Sequence, residues 1–499
     1  MADSKGSFQL LEATISDIHE AYRSGRLTAR QLVQMYLDRI EAYDKKGPAI
    51  NSIITLNSKA LEEADGLDAA LKTSGFVGPL HGIPIVFKDQ GDVKGMPTTF
   101  GSILFKDYYP DRDSFVAEKL KKAGAIILAK TTLGELGGGD THGSLFGSTR
   151  NPYAPERTVG GSSGGSAASV AANFATVGIG QEGLASIRRP STWNSLAGMR
   201  ATAGLVSRGG VLGSWPTVIG ALGPMARTVK DLAILLDTIV GYDPEDPLTA
   251  RGIGHVPQSF TKFLDGSGLK GARLGILREP IGIDSDPNSE DFKKITEVFD
   301  KAVADLRAAG AEIVDPVVIP NLTALLAKRT GSPDDGEASF KNYLGRSANP
   351  PFRSLADVVA APDFNRVFGN TQRRLRLTAD PGKHYQYLVA RDELMTNLLK
   401  VMADNKLDAI VHKAVEHQPT LIEEGVKPPY VNYKGAPHLN TFLVYVPSIV
   451  VPAGFTRDNL PAGITFLGRP YDDGNMIKFA YAYEQATHHR RPPASTTPL

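Results

Sequence analysis

The pattern of apolar and polar positions in this chain alternates between helical and extended stretches from one end to the other. TISDIHEAYRSG opens on a Thr or Ser cap and stops at Gly25, and TARQLVQMYLDRIEAYDK opens at Thr28. Residues 14–46 therefore predict two helices. Residues 51–56 predict a short strand, and SKALEEADGLDAALKTSG a helix. Gly82-Ile83-Pro84-Ile85-Val86-Phe87 is an unbroken apolar run that ends at Lys88-Asp89. A strand of that kind is covered on both faces, which places Lys88 in the core. SFVAEKLKKAGAIILAKTTLGEL predicts helix, turn and strand, a β-α-β style unit. Residues 228–240 predict a helix, ARLGILRE a strand, and SEDFKKITEVFDKAVADLRAAGAEIVDPVVI a helix followed by a strand. Residues 385–404 predict a long helix and 408–411 a strand. Residues 440–452 and 462–466 predict buried strands and 475–487 a closing helix, and HHRRPPASTTPL reads as a solvated tail. Residues 320–435 otherwise hold Pro, Asn and Arg in irregular order and are expected to shape a substrate entrance. No linker divides the chain, so residues 1–499 are read as one large α/β domain.

The stretch from Thr158 to Pro190 departs from this pattern. It opens with a Gly/Ser loop, residues 160–166, and continues as an Ala-rich run, 167–175, that predicts a short buried helix. An apolar segment, 176–180, follows, then a second loop ending in Ser186-Ile187-Arg188. Two serine-bearing loops joined by a short helix are placed to meet in space. Small residues around both serines let backbone N–H groups approach a bound molecule.

Composition narrows the classes. With 41% hydrophobic and 22% charged residues, the chain reads as a soluble globular protein. A net charge of +1 gives no reason to expect nucleic acid or an anionic membrane as partner. The absence of cysteine excludes disulfides, thiolate metal sites and a Cys nucleophile. The N-terminal stretch has no apolar signal core, and no window of about 18 apolar residues occurs, so a cytoplasmic location is expected. The 51 Gly and 33 Pro imply many tight turns between short elements.

Ser186 is the candidate nucleophile, and a serine hydroxyl needs a base to take its proton. None of the ten His stands in a G-x-S-x-G elbow. The alternative base is a lysine kept neutral by burial, and Lys88 at the end of its apolar strand suits that role. Its neighbour Asp89 would hold it charged unless the carboxylate points elsewhere. Ser162, at the entry of the Gly-rich turn, is positioned to relay a proton. The amides of Gly183, Leu184, Ala185 and Ser186 are candidates for an oxyanion hole. Glu182 and Arg188 read as an ion pair that fixes this loop. His142, in GGGDTHGSLFG, either lines a pocket or caps a turn; Leu136 and Gly137 are the other candidate pocket residues. The bland readings are a turn-and-cap for the Gly/Ser loop and a strand-end surface lysine for Lys88. A phosphate cradle is excluded because no Lys follows the glycines. His412 and His417 are five apart and do not match H-E-x-x-H, so no metal is expected. Trp193 and Trp215 read as core or pocket wall.

Several stretches together resemble the amidase signature enzymes. They are GIPIVFKDQGDVKGMPTTFGS (82–102), FGSTRNPYAPERTVGGSSGGSAASVAA (146–172), GQEGLASIRRPSTWNSLAGMRATAGLVS (180–207), GPMARTVKDLAILLDTIVG (223–241) and LPAGITFLGRPYDDGNMIKFAYAYEQAT (460–487). The resemblance implies an α/β fold with a large mixed, mostly parallel sheet and helices on both faces, its signature core at about residues 80–240. It assigns Lys88, Ser162 on a cis peptide bond, and Ser186 as a catalytic triad, with Ser163 supporting. It also implies hydrolysis of linear amides through a Ser acyl-enzyme, without cofactor or metal. The family usually carries Asp and then Thr-Gly-Gly before the nucleophile; here the segment is Glu182-Gly183-Leu184-Ala185. The chain is similar to a broad branch with aryl acylamidases and urethanases, so the expected partner is a small amide or carbamate. Monomer and homodimer both remain open. The alternatives are a subunit of a glutamine-dependent tRNA amidotransferase and a non-catalytic binding protein on the same scaffold.

Overall fold

The computed structural model describes residues 8–329 and 336–499. Eleven strands form one sheet: β1 (Ile53–Leu56), β2 (Pro84–Lys88), β3 (Ile126–Thr131), β4 (Val177–Glu182), β5 (Ala197–Arg200), β6 (Ala221–Ala226), β7 (Arg273–Leu277), β8 (Glu312–Val317), β9 (Ala409–Lys413), β10 (Ser448–Phe455) and β11 (Pro461–Leu467). Their spatial order is β1-β3-β2-β4-β6-β5-β10-β11-β9-β7-β8. Helices cover both faces, as expected.

The sheet is mixed, but parallel pairing does not dominate. Four neighbouring pairs are parallel: β2 with β3, β2 with β4, β7 with β8 and β7 with β9. Six are antiparallel, among them β4–β6, β6–β5, β5–β10 and β10–β11. The reason lies in the connections. Parallel neighbours need a long crossover. Helix Phe115–Lys122 supplies it between β2 and β3, and Glu290–Ala308 between β7 and β8. From β10 to β11 only a short loop intervenes, and that permits only a hairpin.

Most predicted elements lie where the pattern puts them. Thr14 and Thr28 cap the first two helices, Ile15–Arg23 and Ala29–Arg39, each through a reciprocal capping box. The Ala-rich helix is shorter and earlier than expected, Gly164–Ala171. The strand predicted over 440–452 starts later and runs further, Ser448–Phe455, and His438–Thr441 is a 3-10 turn.

Most of the tail is exposed, as expected, but it is anchored at a few points. Arg490 pairs with Glu12 at 2.7 Å, and Thr496 is 2% exposed. The tail takes part in closing the Gly164–Ala171 helix, whose last carbonyls have no partner within the helix. Arg227 Nη1 donates to Val170 O (3.1 Å), Arg490 Nη2 to Ala171 O (3.4 Å), and Arg39 to Ala172 O (2.9 Å) and Asn173 O (3.0 Å). Arg39 also donates to Thr496 O (2.9 Å) and Thr497 O (2.8 Å). Three guanidinium groups thus sit at the negative end of the helix dipole. Composition hid this, because a polar tail is packed through its main chain and one arginine.

Arg490→Ala removes the arginine partner of Glu12 and one of the three guanidinium groups at the helix end. Urea unfolding is expected to show a loss of about 2 kcal/mol; an unchanged midpoint would show that the Arg490 contacts contribute nothing.

Candidate active site

The site begins at the end of β2, a strand buried at every position. Successive side chains leave a strand on opposite faces, so Lys88 and Asp89 part company. Lys88 Nζ donates to Ser162 Oγ at 2.7 Å and to Gln181 O at 3.2 Å. Asp89 lies 2.9 Å from Lys130 Nζ and accepts from the Thr99 amide at 3.0 Å and from the Thr99 hydroxyl. The condition set by the sequence is met, since the adjacent carboxylate belongs to another lysine. Burial pushes the Lys88 ammonium down to about 7, against the opposing pull of Glu182.

The Gly-rich turn is held by close backbone contacts. The Gly161–Ser162 peptide bond is cis. A Cβ on Gly161 would stand 2.3 Å from Gly139 O, and one on Gly165 2.3 Å from Thr132 O, so both positions exclude a side chain. Ser163 ties this turn to the second loop. Its amide donates to Ser186 O (3.1 Å), and its hydroxyl donates to Gln181 O and accepts from the Gln181 amide, each at 3.1 Å.

Glu182 folds the second loop back on itself. Its carboxylate accepts from the amides of Ile187 and Arg188 at 2.9 Å each and from Arg188 Nε at 2.8 Å. Arg200 stands 3.9 Å away. Burial alone would raise its pKa, but Arg188, Arg200 and these bonds outweigh burial and hold it below the usual carboxylate range. Between the anchored ends, the amides of Gly183, Leu184, Ala185 and Ser186 donate to no protein acceptor among the described residues. Leu184 and Ala185 are buried in a small apolar cluster with Ala436, Tyr433 and Ile283. The Ser186 hydroxyl has no protein partner among the described residues, and no direct bond joins it to Ser162. The Ser163–Ser186 main-chain bond brings the two loops together.

A cavity of about 310 Å³ opens onto Ser162 and Gly183. Leu136 and Gly137 are among the residues that line it. His142 is not. Its ring is buried, Nδ1 bonds the Ser148 hydroxyl at 2.8 Å, and burial pushes its pKa down to about 4. It serves the small hairpin in which it sits, which is the turn-capping alternative. Sequence reasoning missed Gln90, Gln181, Leu212, Phe340 and Arg374, which also line the cavity. For Gln90 and Gln181 a signal existed, since they stand beside Lys88 and Glu182 in the chain. Phe340 and Arg374 come from the irregular segment and carried no motif.

The fold matches that of solved amidase signature enzymes. The Amidase family model matches residues 31–477, and the chain belongs to that family. An Arabidopsis thaliana protein described as "Probable amidase" is 34% identical, covering 98% of this chain and 92% of its own. A glutamyl-tRNA(Gln) amidotransferase subunit of Methanosarcina barkeri is 32% identical over 93% of this chain and 96% of its own. The solved peptide amidase from Stenotrophomonas maltophilia superposes with a TM-score of 0.85 at 34% identity, covering 98% and 99%. Among the described residues no helix is long and apolar enough to cross a membrane.

The depressed Lys88 pKa makes stability depend on pH. Between about 7 and 10.5 the unfolded chain holds a proton on Lys88 that the native chain does not, so stability rises with pH across that window. Lys88→Met removes this dependence. The stability of the variant relative to wild type should be greatest below pH 7 and shrink steadily toward pH 10. A flat difference across that range in urea titrations would contradict a desolvated amine.

Proposed function

We propose that the chain is a serine amidase that cleaves linear amides through an acyl-enzyme, with Lys88, Ser162 and Ser186 as catalytic residues. The observation that carries this reading is the 2.7 Å bond from Lys88 to Ser162, made by a lysine whose neighbouring carboxylate is paired elsewhere. Neutral Lys88 takes the Ser162 proton while Ser162 takes that of Ser186, and Ser186 attacks the carbonyl carbon. Catalytic hydrogen bonds of this kind tighten when substrate fills the site, which is the role assigned to the free Ser186 hydroxyl. The unoccupied amides of residues 183–186 receive the oxyanion. The proton returns through Ser162 to the leaving nitrogen, and water releases the acyl group by the same route.

Ser163 and the Glu182–Arg188 pair support the loops, and the described part of the 320–435 segment, through Phe340, Leu355 and Arg374, shapes the substrate entrance. The cavity wall is mostly apolar, which favours aryl amides, with aryl carbamates and esters as further substrates. Similarity to the peptide amidase adds peptide amides to the class. The substrate is a small molecule, met by a monomer or homodimer.

A second reading, a subunit of a tRNA amidotransferase, is favoured by the 32% identity to the Methanosarcina protein. It requires glutamine-dependent transfer with partner subunits, whereas the first reading requires hydrolysis by the lone chain.

Purified protein should hydrolyse a chromogenic anilide without glutamine or ATP, and Ser186→Ala should abolish this; full activity in that variant ends the proposal. Lys88→Met should lower kcat/KM on the anilide by about a hundred- to ten-thousandfold, and less on the matching aryl ester, whose leaving group needs less protonation. In wild type, kcat/KM should climb with pH and level off near the Lys88 value of about 7. A profile flat from pH 5 to 8 would remove Lys88 from the role of base.

A further inference from the structure

Two glutamine carboxamides share one acceptor beside the proposed triad. Gln90 Nε2 and Gln181 Nε2 each donate to Leu212 O at 2.9 Å. A carboxamide has a donor end and an acceptor end. With both nitrogens drawn to the same carbonyl, the two oxygens face the other way. Gln90 is 6% exposed, and its Oε1 is buried without a hydrogen-bond partner among the described residues. Both side chains line the cavity that reaches Ser162 and Gly183. Both also flank Lys88, since Gln90 follows it by two residues and the Gln181 carbonyl accepts from its Nζ.

The backbone makes room for this pair. A Cβ on Gly137 would come within 2.6 Å of Gln90 Nε2, and one on Gly220 within 3.1 Å of Gln181 Nε2, with positive φ at both glycines. A buried acceptor left without a donor is costly, and because Gln90 belongs to the cavity wall, a bound molecule is the natural source of that donor once the carboxamide turns toward it.

We infer that Gln90 and Gln181 are specificity-determining residues that accept the N–H of the scissile amide, so that the site selects amides bearing an N–H over esters. This rests on the proposed amidase reading. Holding the N–H bonds fixes rotation about the C–N bond and turns the nitrogen lone pair toward Ser162, which must protonate it as the bond breaks. An ester offers no such donor and leaves the Gln90 oxygen bare.

The test uses phenylacetamide and methyl phenylacetate as a matched pair. Gln90→Met and Gln181→Met should each lower kcat/KM on the amide by about ten- to a hundredfold while the ester changes by less than about threefold. The acid limb of the pH profile should stay where it is in wild type. A parallel fall on both substrates, or no fall on the amide, overturns the inference. A binding measurement covers the case in which a glutamine variant misfolds. With both glutamines in place, the Ser186→Ala chain should bind benzamide at least about tenfold tighter than its methyl-ketone isostere acetophenone; equal affinities overturn the inference. If wild type turns over neither amide nor ester, the amidase reading fails, while the benzamide preference still reports on the glutamines.

Discussion

The bond between Lys88 Nζ and Ser162 Oγ depends on the next residue in the chain facing the other way. Two unit charges about 4 Å apart at an effective dielectric constant of about 20 attract by roughly 4 kcal/mol. That is about three pKa units in favour of an ammonium. Burial lowers Lys88 from 10.5 to about 7, a change of similar size. An Asp89 carboxylate facing Lys88 would therefore cancel the effect of burial. Strand alternation sends it to Lys130 instead, where the pair is fully buried. Glu182 is the remaining anion that acts on Lys88, and its charge is drawn toward Arg188 and Arg200.

Fixing one lysine is of use only if the two serine loops are equally fixed. At the front, Ser163 bonds both to the Ser186 carbonyl and to the end of β4. At the back, Arg39, Arg227 and Arg490 cap the helix that leaves the Gly-rich turn. Those arginines come from the N-terminal helices, the region after β6 and the tail. The short helix is therefore anchored by parts of the chain that lie hundreds of residues apart, and the turn in front of it inherits their rigidity.

What could be read in the sequence was local. The apolar run of β2 foretold a buried Lys88, and charge spacing foretold the Glu182–Arg188 pair. The cavity was not legible, because its wall is assembled from five or more separate segments, and Phe340 and Arg374 carry no spacing signal of their own. The mostly parallel sheet that the resemblance implies is not found, because the centre of the sheet pairs antiparallel, through the β10–β11 hairpin and through β4, β6, β5 and β10. His142 has the look of a site residue by type, yet its ring is given to Ser148 and Phe368. The anchoring of the tail was not legible because its polar composition says nothing of main-chain carbonyls, and those are what Arg39 holds.

The altered segment before Ser186 follows the same logic. Replacing small residues by Leu184 and Ala185 changes side chains, whereas an oxyanion hole is made of amides. Those two side chains are buried in a small apolar cluster with Ala436, Tyr433 and Ile283. The carboxylate that shapes the turn, Glu182, is one methylene longer than the family's usual Asp, and it still reaches the amides of residues 187 and 188. Backbone geometry is thereby insulated from side-chain identity. The turn keeps its free N–H groups while its side chains are open to change, and variation there falls on the wall formed by residues 283 and 433–436 rather than on the four amides.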